Sequence, residues 1–296
     1  MPFERTPTRF PELNTVLEHL VTGLREVLGP NLIGVYLQGS FALGDADENS
    51  DVDWTAVIED DIDAVVQSRL DEFHCELHAR PETWAQHLEG SYFPRDVLKN
   101  LAEAPTELPG SPRAPGWTDP SNGAPLSVYP VLYLNNGSNS LIRSQHDNSL
   151  AVRWVLREHG ITLFGPPPET LIDPVDPGEL GRAGLETMRW WGADLLSGKA
   201  NLDALWIQGF AALFFPRVLA TVAEGRLVSK LEAVKWAKLN LDPRWHSLIE
   251  RAWRHRDRYP RGHGAPERHA ALKPDQSDVA ETLEFVRYAL EFADRQ

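Results

Sequence analysis

Two closely spaced aspartates, Asp51 and Asp53, follow a glycine–serine pair in the stretch "GVYLQGSFALGDADENSDVDWTAVIE", residues 34–59. Both ends of this stretch have the composition of β-strands. Side chains at i and i+2 on a strand project from the same face, so the two carboxylates are expected to lie close together. Like charges so placed repel unless a cation neutralises them, and Mg²⁺ binds carboxylates together with substrate phosphates. The pair predicts a magnesium site.

Gly39 and Ser40 come directly after the first of these strands and are expected to open a helix or tight turn. Exposed backbone N–H groups at such a turn, together with the Ser40 hydroxyl, can hold phosphate oxygens. The sequence therefore predicts a phosphate-binding turn beside the metal site. The alternative is an ordinary turn followed by an exposed alternating strand.

The elements around these residues alternate between helical and strand patterns, which indicates a small α/β unit. They are a helix from about Pro11 to Leu28, strands in "LIGVYLQG" and "DVDWTAVIE", a helix in "DIDAVVQSRLDEFHCEL", a strand around Leu88 to Phe93, and an edge strand in "SVYPVLYLN" interrupted by Pro130. Residues 104–125 are rich in proline and glycine and are predicted to form an excursion.

The second half of the chain is predicted to be helical after the helix "SLAVRWVLREHG" and the Pro-rich connector "ITLFGPPPETLIDPVDP". Helices are expected at about Pro177–Ser197, Asp203–Glu224, Lys230–Leu239, Arg244–Arg258 and Asp275–Ala293. The predicted fold class is α+β. A small mixed-sheet domain spans residues 1–150, and an α-helical bundle spans residues 151–296.

The amino-acid composition restricts the kinds of molecule that the protein is expected to bind. The chain has 43 acidic and 29 basic residues, a formal net charge of −14, which disfavours nucleic acid and favours a cationic small molecule, although acidity can also serve only solubility. No run approaches eighteen apolar residues, so no membrane span is expected. The charged first residues lack the apolar segment of a signal peptide, and Cys75 is the single cysteine. A cytoplasmic location is expected.

The segment "GSFALGDADENSDVD" resembles the signature of the DNA polymerase β-like nucleotidyltransferase superfamily. The segments "LREHGITLFGPPPETLIDPV", "EGRLVSKLEAVKWA" and "EFVRYALE" are similar to the streptomycin/spectinomycin adenylyltransferases, the aminoglycoside 3''/9 class. This resemblance implies transfer of AMP from ATP to an acceptor hydroxyl with release of pyrophosphate. It also implies Mg²⁺, two ions in all, ATP as co-substrate, and a role in antibiotic resistance.

The resemblance further implies a third carboxylate that acts as general base and contacts the acceptor, beside Asp51 and Asp53 as catalytic and metal-binding residues. Glu89, in "HLEGSYFP", is the candidate, and a glutamate within an apolar and aromatic strand needs a reason to be buried. A solvent-facing strand residue is the alternative, with Glu76 and Glu82 as further candidates for the base.

In the helical domain, the resemblance implies that Arg217 and Lys230 bind the ATP phosphates. Arg217 lies in the apolar stretch "FAALFFPRVLATV" and is expected to meet an anion, which could equally be a structural carboxylate. Lys230 could equally be an exposed lysine. Asp203 falls where the related enzymes bind their cationic drug, but Ile207 falls where a further carboxylate is expected.

The leading hypothesis is a Mg²⁺-dependent adenylyltransferase acting on an aminoglycoside or aminocyclitol hydroxyl. Two alternatives remain open. One keeps AMP transfer with a different small-molecule or protein acceptor, and the other is a non-catalytic nucleotide-binding or antitoxin-like module. The sequence does not predict the oligomeric state.

Overall fold

The computed structural model describes residues 6–101, 129–259, 261, 268 and 271–295. The proline- and glycine-rich excursion predicted at residues 104–125 lies outside the described residues. The chain forms two compact units. Unit 1 consists chiefly of the residues up to Pro174, and unit 2 chiefly of the residues from Val175 onward.

Unit 1 is built around a mixed β-sheet with helices on its faces. Its described elements are α1 (Pro11–Leu28), β1 (Leu32–Leu37), α2 (Gly39–Leu43), β2 (Val52–Ile58), α3 (Ala64–His78), β3 (Leu88–Pro94), α4 (Arg95–Lys99), β4 (Val131–Leu134), β5 (Leu141–Ser144), α5 (Leu150–His159) and β6 (Ile161–Phe164). The six strands lie in the order β5-β4-β3-β2-β1-β6. Only β2 and β3 pair in parallel, and the other neighbours are antiparallel.

The two faces of the sheet have different roles because side chains alternate along each strand. One face carries Trp54 and Tyr92 into a large apolar core that includes the apolar sides of α1 and α3. The opposite face carries Val57 and Phe93, which pack in a second cluster with Leu156 of α5. By the same alternation, Asp53 and Glu89 belong to this second face. The sheet is therefore covered on both sides, and the carboxylates lie on the side of α5.

The strand predictions need three corrections. β4 begins just after Pro130 and lies between β3 and β5, so it is not an edge strand. β5 is an additional strand. The segment predicted as a pure connector after Gly160 contains β6, which pairs with β1 at the sheet edge. Because α5 and β6 complete the sheet domain, unit 1 continues beyond the boundary predicted between residues 150 and 151.

Unit 2 is helical. Its described helices are α6 (Pro177–Ser197), α7 (Leu205–Glu224), α8 (Lys230–Asn240), α9 (His246–His255) and α10 (Gln276–Ala293). Together with the mixed sheet of unit 1, they confirm the predicted α+β class. The bounds follow local signals: Asp176 caps the N-terminus of α6 with its side chain, and Gly198 ends that helix in the left-handed conformation.

Helix α7 is the central apolar element of unit 2. It is the one described helix long and apolar enough to cross a membrane by length and composition, with a mean hydropathy of 1.5 in its best window, but 67% of that window is buried inside the protein. Its buried side chains, among them Phe215 and Leu219, pack in the core of unit 2 with residues of α9 and α10. These properties are those of a core helix.

Candidate active site

Asp53 and Glu89 are register partners on the parallel strands β2 and β3. The Glu89 side chain is only 16% exposed. Burial raises the pKa of Glu89 well above its ordinary value, and the charges of Asp53 and then Asp51 raise it further. The three carboxylates predicted from the sequence are therefore close enough in unit 1 for the charges of Asp51 and Asp53 to act on the protonation of Glu89.

Asp51 immediately precedes β2 and accepts a hydrogen bond from a residue in the turn between two other strands. The side-chain amide of Asn136, in the turn between β4 and β5, donates a hydrogen bond to Asp51 Oδ1 at 2.6 Å. This contact bridges residues far apart in the chain. It fixes one carboxylate oxygen of Asp51 relative to the sheet.

Gly39 opens the short helix α2 in close contact with Asp53. Its φ of +58° is unfavourable for other residues, and an added Cβ would lie 1.8 Å from Asp53 Oδ2. The backbone N–H of Gln38 donates to the carbonyl of Asp53 at 2.9 Å. Ser40 follows as the second residue of α2 and is partly buried. The predicted phosphate-binding turn and the carboxylates are therefore adjacent, and only glycine fits at their junction.

Two residues that the sequence analysis missed contact Glu89. The hydroxyl of Tyr133 on β4 donates a hydrogen bond to Glu89 Oε1. His146, just after β5, places its Nε2 3.4 Å from the same oxygen, and its ring lies 5.0 Å from the Tyr133 ring, centroid to centroid. The available signal was weak: a tyrosine in an apolar strand needs a partner for its hydroxyl, but the sequence does not say which partner.

A fourth carboxylate, Asp147, lies near this group. It is buried, and Ser91 Oγ donates to its Oδ2 at 2.6 Å. Burial raises the pKa of Asp147, and the charge of Asp147 contributes to the raised pKa of Glu89. The second face of the sheet thus concentrates negative charge in one region of unit 1.

The carboxylates of this region can supply some of the oxygen ligands of a Mg²⁺ ion, but not its full coordination shell. Among the described residues, no group of three or more His, Cys, Asp or Glu side chains is arranged to hold a metal ion by itself. Mg²⁺ usually takes one or two carboxylates and completes its shell with water and substrate phosphates. Asp51 and Asp53 supply such a pair of hard oxygen donors, beside the backbone turn at Gly39.

Arg217 and Lys230, the predicted phosphate-binding residues, lie in unit 2. Arg217 is partly buried in α7, and its Nε donates to the carbonyl of Val228 at 2.7 Å, so a backbone carbonyl is one partner of its guanidinium. Lys230 is the first residue of α8, where Ser229 and Glu232 form a capping box. The contact with Val228 thus brings Arg217 close to the start of α8.

Asp203, the predicted substrate-binding residue, is exposed in the short connection before α7. Its backbone N–H donates to Asn201 Oδ1 at 3.3 Å. Ile207, where a second carboxylate was expected, is partly buried in the first turn of α7 and packs against the core of unit 2. Asp203 therefore belongs to unit 2, with Arg217 and Lys230, while the other predicted site residues belong to unit 1.

Residues 170–274 match the family model described as "Aminoglycoside adenylyltransferase, C-terminal domain". This region is therefore similar to that domain. Arg217, Lys230 and Asp203 all lie within the matched residues. The sequence resemblance to the streptomycin/spectinomycin adenylyltransferases is thereby confirmed for this region.

The fold is similar to a solved adenylyltransferase. The crystal structure of spectinomycin adenyltransferase AAD(9) from Enterococcus faecialis with ATP and spectinomycin matches with a TM-score of 0.61 and 13% sequence identity. The match covers 94% of this chain and 98% of that one. No protein with a curated function matches the sequence significantly. The chain is thus similar to aminoglycoside adenylyltransferases in the sequence of residues 170–274 and similar to AAD(9) in its fold.

Proposed function

We propose that this protein is a Mg²⁺-dependent nucleotidyltransferase that moves AMP from ATP to a hydroxyl of an aminoglycoside or aminocyclitol. The register pairing of Asp53 with Glu89, beside Asp51 and the turn at Gly39, is the observation that carries the proposal. It combines an oxygen-donor pair for a cation, a backbone turn for phosphates and a carboxylate of raised proton affinity on one face of one sheet.

The proposed roles of the acidic residues follow from their surroundings. Asp51 and Asp53 would hold Mg²⁺, which supplies charge neutralisation at the transferring phosphate when it is bound. Glu89 takes the proton of the acceptor hydroxyl, and its raised pKa makes it a better base than an exposed glutamate. The acceptor oxygen forms a bond to the α-phosphorus of ATP, the bond from that phosphorus to the bridging oxygen breaks, and pyrophosphate leaves.

The phosphates are proposed to contact Gly39 and Ser40 through backbone N–H groups and the serine hydroxyl. Arg217 and Lys230 are proposed to supply the positive charge that triphosphate requires. Their location in the C-terminal domain shared with aminoglycoside adenylyltransferases supports this assignment. The Val228 carbonyl accepts a hydrogen bond from Arg217 Nε and orients the guanidinium, whose planar fork of N–H groups has the geometry suited to phosphate.

The acceptor class is supported by charge and by family. A net charge of −14 attracts a polycationic drug, and Asp203 offers an exposed carboxylate in the C-terminal domain. The protein of similar fold, AAD(9), was crystallised with spectinomycin. Ile207 supplies no charge at the position where the sequence resemblance implies a further carboxylate. Because AAD(9) was crystallised with spectinomycin, that drug is the first acceptor to try.

The experiment is incubation of the purified protein with ATP, Mg²⁺ and a panel of aminoglycosides and aminocyclitols, with pyrophosphate release measured continuously. Drug-dependent release and a drug product heavier by one AMP group are expected. An Asp53→Asn variant is the control for contaminating activity and must release none. Release only with a different acceptor would support AMP transfer and refute the drug assignment. No release with any acceptor would refute the enzymatic proposal.

A further inference from the structure

The β4–β5 hairpin, residues 131–144, contacts two of the catalytic carboxylates, although it contributes no carboxylate of its own to the site. We propose that this hairpin positions them, with Tyr133 orienting Glu89 and Asn136 orienting Asp51. The inference rests on the proposed function for its consequence in catalysis. The contacts themselves are independent of it.

The position of Tyr133 is set by backbone pairing. Tyr133 is the register partner of Ser91 on the antiparallel strands β3 and β4. Glu89 lies two residues before Ser91 and therefore on the same face, which makes Tyr133 and Glu89 diagonal neighbours across the strand pair. Their hydrogen bond joins a phenol to a carboxylate, the stronger, charge-assisted kind. The strand ladder thus delivers a donor to the proposed base.

The Tyr133 ring is itself restrained. The hydroxyl oxygen also lies 3.1 Å from Asn135 Oδ1, and the ring packs beside the ring of His146. Burial and the charge of Glu89 raise the pKa of Tyr133, so its hydroxyl stays protonated and remains a donor. A restrained donor on Oε1 therefore restrains the orientation of the whole Glu89 carboxyl group.

Asn136 acts in the same way on Asp51. Its amide donates to Oδ1 at 2.6 Å, which restrains the orientation of a carboxylate proposed to bind a cation. Hydrogen bonds to a ligating carboxylate fix its orientation, and their loss typically lowers metal affinity or activity by about 10- to 100-fold. One hairpin therefore couples the orientation of the proposed base to that of the proposed metal ligand.

The chain provides matched controls for both residues. Tyr129 also donates its hydroxyl to a carboxylate with a 5% exposed side chain, that of Asp61, which is not one of the proposed site residues. Asn139 lies in the same hairpin turn as Asn136, is exposed, and places its amide 3.8 Å from Cys75 Sγ. Tyr129→Phe and Asn139→Ala therefore reproduce the chemical deletions without touching Glu89 or Asp51.

For Tyr133, kcat and the KM for ATP are measured in Tyr133→Phe and Tyr129→Phe. We expect Tyr133→Phe to lower kcat by about 10- to 100-fold with an unchanged KM for ATP, because the base and not the nucleotide is misoriented. Tyr129→Phe should keep the wild-type kcat even if it unfolds at a lower temperature. A wild-type kcat in Tyr133→Phe would overturn the inference for Tyr133.

For Asn136, binding of Mg·ATP is measured directly by calorimetry without acceptor. Asn136→Ala should weaken binding by about tenfold while Asn139→Ala does not. Equal affinity in Asn136→Ala and wild type would overturn this half of the inference.

A crystal structure of Tyr133→Phe without nucleotide separates the inference from the proposed function. A rotated or split Glu89 carboxylate supports positioning by Tyr133 even if the wild-type protein transfers AMP to none of the acceptors tried. An unmoved Glu89 carboxylate would overturn it even if the wild-type protein is an active adenylyltransferase.

Discussion

Glu89 faces Asp53 directly across the parallel pair β2–β3, so two acidic side chains occupy neighbouring places in a sheet where like charges destabilise each other. A fold keeps such an arrangement only when it is compensated or used. Because burial adds to the repulsion, Glu89 holds a proton more strongly than a glutamate in the unfolded chain.

Replacing the proposed base should remove turnover and spare the fold. Glu89→Gln keeps the shape of the side chain but cannot take a proton, and we expect AMP transfer to fall by about 10²- to 10⁴-fold. Glu76→Gln, on the exposed side of α3, is the matched control and should react at the wild-type rate. Pyrophosphate release in initial-rate assays measures both. A slow Glu76 variant beside an active Glu89 variant would move the role of base to Glu76.

The same Glu89 variant should change stability with pH. The pKa of Glu89 is raised in the folded state, so its contribution is fully present below the unfolded pKa of about 4.5 and is lost as the pH rises through the folded value. Glu89→Gln has no such loss and should gain in unfolding temperature relative to wild type as the pH is raised from 5 to 8. Thermal unfolding at several pH values, without nucleotide or Mg²⁺, tests this. A constant difference across that range would contradict the buried, charge-coupled environment.

Loss of one metal-binding carboxylate should affect the cation requirement. Asp51→Asn removes one of two negative charges, and we expect turnover to fall by more than about 100-fold with the fold intact. Asp60→Asn, exposed after β2, is the control. The residual activity is measured as a function of Mg²⁺ concentration, and the variant should need a higher concentration of Mg²⁺ than wild type to reach its own maximal rate. An unchanged rate and Mg²⁺ dependence in Asp51→Asn would count decisively against the metal assignment.

Gly39→Ala should be far more damaging to activity than to the fold. The added methyl would lie 1.8 Å from Asp53 Oδ2, so the carboxylate must move, and the left-handed φ adds about 1–2 kcal/mol of strain. Gly198→Ala, at the end of α6, also carries a left-handed φ, here +77°, with open space around the new methyl. Comparing kcat and unfolding free energy for both variants isolates the contact with Asp53. If both lose stability alike and both stay active, that contact has no catalytic role.

His74 should control acid stability in unit 1. It is buried with Nε2 2.6 Å from the Tyr92 hydroxyl, and burial lowers its pKa from 6.5 to about 3. A lowered folded pKa means that stability is present above pH 6.5 and is lost as the pH falls towards 3, by about 2 kcal/mol at pH 5. Denaturant unfolding at pH 7 and pH 5 should show this drop in wild type and in the exposed-site control His19→Gln. His74→Gln should show a smaller drop, whatever its stability at pH 7.

Much of the fold could be predicted because its signals are local. The apolar periodicity of α1, the capping residues of α6 and the strand composition around Asp53 all lie within short windows. The strands β5 and β6 could not be predicted in this way. Each is four residues long; β6 pairs with β1, which is distant in sequence, whereas β5 pairs with the equally short β4 across a hairpin turn. Pro130 was misleading, since it precedes β4 and does not interrupt it.

The residues of the candidate site also fall into two groups, those predicted from a local sequence pattern and those that depend on the pairing of strands. Gly39, Asp51 and Asp53 stand in one contiguous segment, and their adjacency follows from a single strand–turn–strand pattern. The partnership of Glu89 with Asp53 depends on the register of a parallel pair, which no local pattern specifies. Tyr133, Asn136 and His146 were missed because their types are common in strands and turns. Their contacts with Glu89 and Asp51 form only when β4 pairs with β3 in the folded protein.

The clustering of acidic side chains on one face of the sheet has a consequence for anyone handling the protein. Where anionic groups crowd together, any ligand that brings positive charge to them relieves the crowding and raises the melting temperature by mass action. A rise in the melting temperature can thus be used to screen cations, nucleotide complexes and basic drugs for binding, without a label and before any product has been identified.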